Sequence, residues 1–103
     1  MQITDLRTEY QKNPLGLDTA KPRFSWKMKT DRTDTLQTAY QVQVTLEDQM
    51  VWDSGRRESD QSVHVEYAGP TLQAEQVYTY RVTVWDNHNE MAEESGSFET
   101  GLL

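Results

Sequence analysis

The sequence predicts an all-β sandwich of seven strands, and three observations predict it. Apolar residues recur at every second position in several stretches, turn formers interrupt those stretches about every ten residues, and no segment holds a helical period beyond a turn. At 103 residues the chain has the size of one domain, so residues 1–103 are expected to share a single core. A closed barrel is the alternative that the same strands leave open.

Near the start, Leu6, Thr8 and Tyr10 share a parity that Ile3 does not, which asks for a bulge in the first strand. Phe24, Trp26 and Met28 alternate with Ser25 and Lys27 to form the second. The third is the clearest: Tyr40, Val42, Val44 and Leu46 stand between Gln41, Gln43 and Thr45, so one face is apolar and the other polar. A short fourth strand covers Met50 to Asp53, and a fifth sets Val63, Val65 and Tyr67 around His64 and Glu66. The sixth, Tyr78 to Trp85, points Tyr78, Tyr80, Val82 and Val84 inward, and Phe98 with Thr100 marks a last strand. Asn13-Pro14-Leu15-Gly16, Asp53-Ser54-Gly55, Gly69-Pro70 and Asp86 to Asn89 supply turns, and Thr71 to Gln76 is a loop too short to propagate as a helix.

Composition narrows the function classes. The chain has no cysteine, so disulfides, thiolate metal sites and thiol nucleophiles are excluded, and a reducing compartment is tolerated. Ten basic residues stand against 17 acidic ones, a formal charge of −7 that repels phosphate backbones and anionic lipid. Nucleic acid and membranes are therefore not expected partners. The opening residues lack the basic head and apolar stretch of a secretory signal, which points to the cytoplasm. The closing Thr100-Gly101-Leu102-Leu103 ends on apolar residues and reads as a cut end.

The stretch from Leu72 to Val84, with Tyr78 six residues after Leu72 and inward residues at every second place beyond it, resembles the fibronectin type III fold. That resemblance implies an immunoglobulin-like sandwich in which Leu72 plugs a loop and the Tyr78 hydroxyl bonds to nearby backbone. It also implies a core of Trp26, Tyr40, Leu72, Tyr78 and Val82. A narrower resemblance spans nearly the whole chain. It is carried by Asn13-Pro14-Leu15-Gly16 with Pro22-Arg23-Phe24-Ser25-Trp26, by Gln37-Thr38-Ala39-Tyr40, by Trp52-Asp53-Ser54-Gly55, by Tyr67-Ala68-Gly69-Pro70, and by the terminal Phe98-Glu99-Thr100-Gly101-Leu102. In this order the blocks are similar to the N-terminal domain of bacterial α-L-rhamnosidases, glycoside hydrolase family 78. The resemblance implies a noncatalytic fragment of a larger multidomain enzyme, with the hydrolytic carboxylates elsewhere and the remaining domains as partners. The stretch from Met91 to Ser97 departs from the family by lacking its tryptophan and serine pattern.

No catalytic residue, cofactor or metal is assigned. Glu58 with Asp60 and Glu93 with Glu94 read as solvated charges, Asp86 to Glu90 as a turn, and His64 as an exposed ring. Trp85 has the opposite parity from Tyr78 to Val84 and is expected to face outward, and Trp52 is expected to share that outer face. The pair would stack on a rhamnose-containing glycan, or be covered by Arg56, Arg57 or Arg81 or by a neighbouring domain. A free-standing protein-interaction module is the third reading, weakened by the absence of an Arg-Gly-Asp loop.

Overall fold

Strand formation follows the alternation closely. The computed structural model describes residues 1–103 and contains β1 (Gln2–Thr8), β2 (Arg23–Lys29), β3 (Gln37–Leu46), β4 (Gln49–Asp53), β5 (Val65–Glu66), β6 (Val77–Asp86) and β7 (Met91–Glu99). These form a three-stranded sheet ordered β1-β2-β5 and a four-stranded sheet ordered β4-β3-β6-β7, antiparallel at every pair. The result is an immunoglobulin-like sandwich, with β4 beside β3 as fibronectin type III topology requires.

The bulge expected in β1 lies between Thr4 and Arg7, where Asp5 takes a φ of 53°. The added residue reverses parity, so Ile3 and Thr8 are both buried. Two strands differ from expectation in length. β5 is reduced to Val65–Glu66, because His64 at φ 55° turns the chain and leaves Val63 exposed. β7 runs the full length of β6, from Met91 opposite Trp85 to Glu99 opposite Val77.

The inward rows meet in one core. Phe24 and Trp26 from one sheet face Val42, Val44, Tyr80, Val82 and Val84 from the other, and Leu72 and Tyr67 close the gaps at the loops. Aromatic rings carry much of the packing: Phe24 lies 4.7 Å from Tyr80, and Tyr78 stacks on Phe98 at 5.2 Å. Tyr40, expected as core, is only half-buried. The β3–β6 register slips between Gln37 and Ala39, so Gln37 faces inward, Ala39 is buried on the outer face opposite Trp85, and Tyr40, opposite Val84, rests its ring 5.6 Å from Trp26 at the margin of the core.

Two buried polar groups hold this core in register. The Trp26 Nε1–H donates to Gln37 Oε1 at 2.9 Å, and Gln37 Nε2 donates in turn to the carbonyls of Ser59 and Gln61 at 3.1 and 2.8 Å. The Tyr78 hydroxyl accepts the backbone N–H of Gln73 at 2.8 Å, the bond expected of a tyrosine six places after the loop leucine. Removing the Gln37 amide strands the buried indole donor, and removing the Tyr78 hydroxyl takes the acceptor from the Gln73 N–H. Gln37→Leu and Tyr78→Phe should therefore each lower unfolding stability by about 1–3 kcal/mol. Urea titration followed by tryptophan emission checks this, with the midpoint falling and the slope unchanged.

Candidate functional site

Chemistry-bearing side chains gather on the outer face of the four-stranded sheet. Residues directly opposite in an antiparallel pair share a face, and Asp53, Gln43, Arg81 and Ser95 are opposite one another across β4, β3, β6 and β7. Their side chains form a polar ladder. Gln41 and Gln43 donate their amide N–H groups to the two Asp53 oxygens at 2.8 and 3.2 Å, Arg81 donates to Gln43 Oε1 at 3.0 Å, and Glu93 stands 3.9 Å from the same guanidinium. Beside the ladder, Thr45, Thr79, Met50 and Ser95 line a shallow hollow of about 250 Å³.

Trp85 shares this face at its far end, opposite Ala39 and Met91. Local sequence explains what covers it. After β4, the Asp53 carboxylate accepts the N–H of Gly55 at 2.8 Å and Gly55 takes a φ of 69°, which swings the chain back so that Arg57 and Tyr40 exchange backbone hydrogen bonds. Arg56 is thereby set over the Trp85 ring, its guanidinium carbon 4.5 Å from the ring centre. The indole is half-buried.

Trp52 does not share that face. It lies opposite the buried Val44 and packs inward, its ring 5.1 Å from Tyr67, so the expectation of two outward tryptophans is corrected. Gly69 makes room for it, since a Cβ there would come within 2.6 Å of the Trp52 Cβ. The physical reason is legible in hindsight: Asp53 must stay outside to cap its own turn, and strand alternation then turns its neighbour Trp52 inward. Trp26, Leu72, Tyr78 and Val82 lie in the interior.

Several carboxylates are committed to structural partners. A bond from Arg7 holds Asp5 below its ordinary pKa, Arg23 does the same to Glu9, and the Gln41 amide does so to Asp53. Asp86, 3% exposed, is pushed upward by burial, but the N–H groups of Glu90 and His88 on its Oδ1 outweigh this and leave it lowered. Those bonds close the β6–β7 turn, with Asn89 at φ 62°. Asn87 ties the turn to the loop before β3 through Leu36 and Asp34. Of the acidic neighbours, Glu58 pairs with Arg56 at 3.0 Å and Glu94 bonds the N–H of Ser95. The exposed His64 hydrogen-bonds the Tyr10 hydroxyl.

This geometry can be set beside known proteins. A family model described as the Rha78A-like, N-terminal immunoglobulin domain matches residues 3–103. The chain belongs to that family. Its similarity to α-L-rhamnosidases is direct: that of Streptomyces avermitilis is 43% identical over 110 residues, covering all of this chain and 11% of that protein. That of Formosa agariphila is 35% identical over 100 residues, covering 89% of the chain and 11% of the relative. Among solved structures, the Streptomyces avermitilis α-L-rhamnosidase complexed with L-rhamnose aligns at a TM-score of 0.92 with 41% identity, over 98% of this chain and 10% of that one. The Aspergillus terreus α-L-rhamnosidase aligns at 0.84 with 26% identity, over 99% and 12%. The Rha78A-like domain thus spans about a tenth of the length of the relatives it matches.

Within the Rha78A-like domain the turn at Asp86 offers a direct measurement. A carboxyl held below its ordinary value of 3.8 contributes stability that is complete above that value and drains away as the pH falls through the lowered folded pKa. Asp86→Ala should cost about 1–3 kcal/mol at neutral pH by freeing two N–H groups. Its urea midpoint should also fall less steeply than the parent's as the pH is lowered below the ordinary value of 3.8, as denaturation curves taken at successively lower pH will report.

Proposed function

We propose that residues 1–103 form a noncatalytic N-terminal module of an α-L-rhamnosidase, a glycoside hydrolase acting on terminal α-L-rhamnose. The module serves that enzyme by packing on its remaining domains and positioning them. The observation that carries this reading is the match of the whole chain to about a tenth of each α-L-rhamnosidase it resembles.

Physical chemistry supports the noncatalytic part. Glycoside hydrolysis uses two carboxyl groups, one of which must stay protonated at working pH and so needs a raised pKa. The carboxylates of this domain whose pKa moves are all drawn downward, by guanidinium groups, amides or turn N–H groups. The space between the sheets is filled by aromatic rings and valines. The reacting carboxylates then belong to the other nine-tenths of the polypeptide. Placement of that enzyme in the cytoplasm is part of the same proposal, supported by a fold that needs no disulfide.

A second reading, binding of a rhamnose-containing glycan, draws on Trp85 sharing a face with the hydroxyls and guanidinium beside the hollow. Arg56 already occupies the ring and Trp52 faces inward, which favours protein over sugar as the neighbour of this face. The purified 103-residue chain should leave p-nitrophenyl α-L-rhamnoside unhydrolysed. The polypeptide read onward past Leu103 should hydrolyse it, and removing residues 1–103 should lower that polypeptide's melting temperature. Hydrolysis by the short chain, lost on substituting one of its carboxylates, would refute the reading, and a saturable change in tryptophan emission with L-rhamnose would favour the second.

A further inference from the structure

The end of the sandwich where β7 finishes carries apolar surface that the core does not use. Beyond Glu99 the chain runs between the segment from Pro14 to Leu17 and the segment from Glu75 to Val77, and main-chain hydrogen bonds fix it on both sides. Toward the first, Glu99 N–H donates to the Pro14 carbonyl at 2.9 Å, and Gly101 N–H donates to that of Leu17 at 2.6 Å. Toward the second, Thr100 N–H donates to the Gln76 carbonyl at 2.9 Å, and Glu75 N–H donates to that of Gly101 at 3.1 Å. Thr100, 1% exposed, adds a hydroxyl that accepts the Gln76 N–H at 3.0 Å and donates to the Gln73 carbonyl at 2.6 Å. At Gly101 a Cβ would lie 3.0 Å from the Gly16 carbonyl oxygen, so the strap admits no side chain without a shift. The backbone is held to Gly101, and anything after Leu103 starts two residues beyond that clamp.

Four exposed aliphatic residues surround this exit: Leu15 and Leu102, each 79% exposed, Val77 at 57% and Leu103 at 45%. Acidic residues adjoin the same segments: Asp18 follows Leu17, the Glu75 N–H donates to the Gly101 carbonyl, and Glu99 lies opposite Val77. The exposed Leu36 and Met91 belong to the opposite end, where they sit beside Asn87 and Trp85. The molecule measures 44 × 23 × 21 Å, so one end presents roughly 400–500 Å², within the 300–750 Å² per side implied by typical interdomain contacts.

We propose that this end is the docking face for the next domain of the same polypeptide, which meets it with an apolar patch ringed by Lys and Arg. The clamp at Thr100–Gly101 makes the joint rigid. The occupant follows from the relatives: the family is an N-terminal domain, and the chain matches only 10–12% of their length, so the bulk of such a polypeptide leaves through this end. The inference rests on the reading of the chain as a module of a larger enzyme.

Hydrogen exchange compares the 103-residue chain with the polypeptide read past Leu103. Amides at Leu15, Val77, Leu102 and Leu103 should exchange at least about tenfold more slowly in the longer protein. Leu15→Glu with Val77→Glu should abolish that protection and split one thermal transition into two, while the short chain with the same changes keeps its own midpoint. Leu36→Glu at the opposite end should alter neither readout. Protection mapping to another surface, or surviving the paired substitution, would overturn the proposal. So would sedimentation of the short chain as a dimer that Leu15→Glu dissociates, since a second copy would then own the face. None of these readouts uses glycosidase activity: a polypeptide that docks but leaves rhamnosides intact would sink the enzymatic reading alone.

Discussion

An indole N–H enclosed between two sheets must find an acceptor there, and the bond from Trp26 to Gln37 is the constraint on which the rest of this fold depends. Trp26 stands on the three-stranded sheet and Gln37 opens the four-stranded one, so one hydrogen bond spans the layers and sets their relative position. The acceptor is an amide, which brings two donors of its own, and these are satisfied by the carbonyls of Ser59 and Gln61. The loop between β4 and β5 is thereby drawn over the end of the core without needing strand pairing. The backbone N–H of Trp26, separately, donates to the carbonyl of Ser62, which carries the same segment along β2 toward β5. A single buried polar group thus organises both sheets and the longest crossing between them, because each of its atoms would be costly to leave unpaired.

The parts of this architecture legible in the sequence were those where one interaction dominated each residue. Alternation in β3 and β6 is clear because both strands are central and bury one whole face, so a polar residue at an inward position has no compensation. The bulge in β1 could be read from the mismatch between Ile3 and Thr8, and the Tyr78 corner from a phenol that needs a backbone partner. Alternation placed Tyr40 on the inner face, opposite Val84, while Gln37, which joins that face across a register slip and bonds Trp26 from another strand, was not legible as a core residue. Val63 failed for a similar reason. The left-handed turn at His64 limits the pairing of β5 with β2 to two residues, and no local pattern announces it. Trp52 was a different case, since the capping role of Asp53 was visible and alternation alone would have placed the indole inside.

The outer face shows why a surface rich in chemical groups need not be a reactive one. Along the ladder from Asp53 to Glu93, each donor is matched to an acceptor on the next strand, and the charges alternate in sign. Such a pattern ties four strands together across their exposed side while keeping them wet. Acid and base chemistry needs the reverse, a carboxyl starved of partners so that its proton is held to higher pH. Membership of the Rha78A-like family and the physical state of these carboxylates therefore agree, although one is a statement about relatedness and the other about hydrogen bonds.

What distinguishes the two ends of the sandwich is how their backbone is restrained. The β6–β7 turn is closed by the Asp86 Oδ1 atom and laced to the neighbouring loop by Asn87, and the exposed Leu36 and Met91 stand beside these side-chain bonds. At the other end the restraint runs along the main chain itself, through Thr100 and Gly101 between two flanking segments, and the side chains left over are aliphatic. A strap of that kind fixes the backbone as far as Gly101 and leaves only Leu102 and Leu103 outside it. Exposed leucines beside a rigid exit gain most by burial against a partner whose position is already fixed, because the ordering entropy that usually opposes association has been removed in advance. Rigidity and apolarity at this end would thus act on the same step, the docking proposed above.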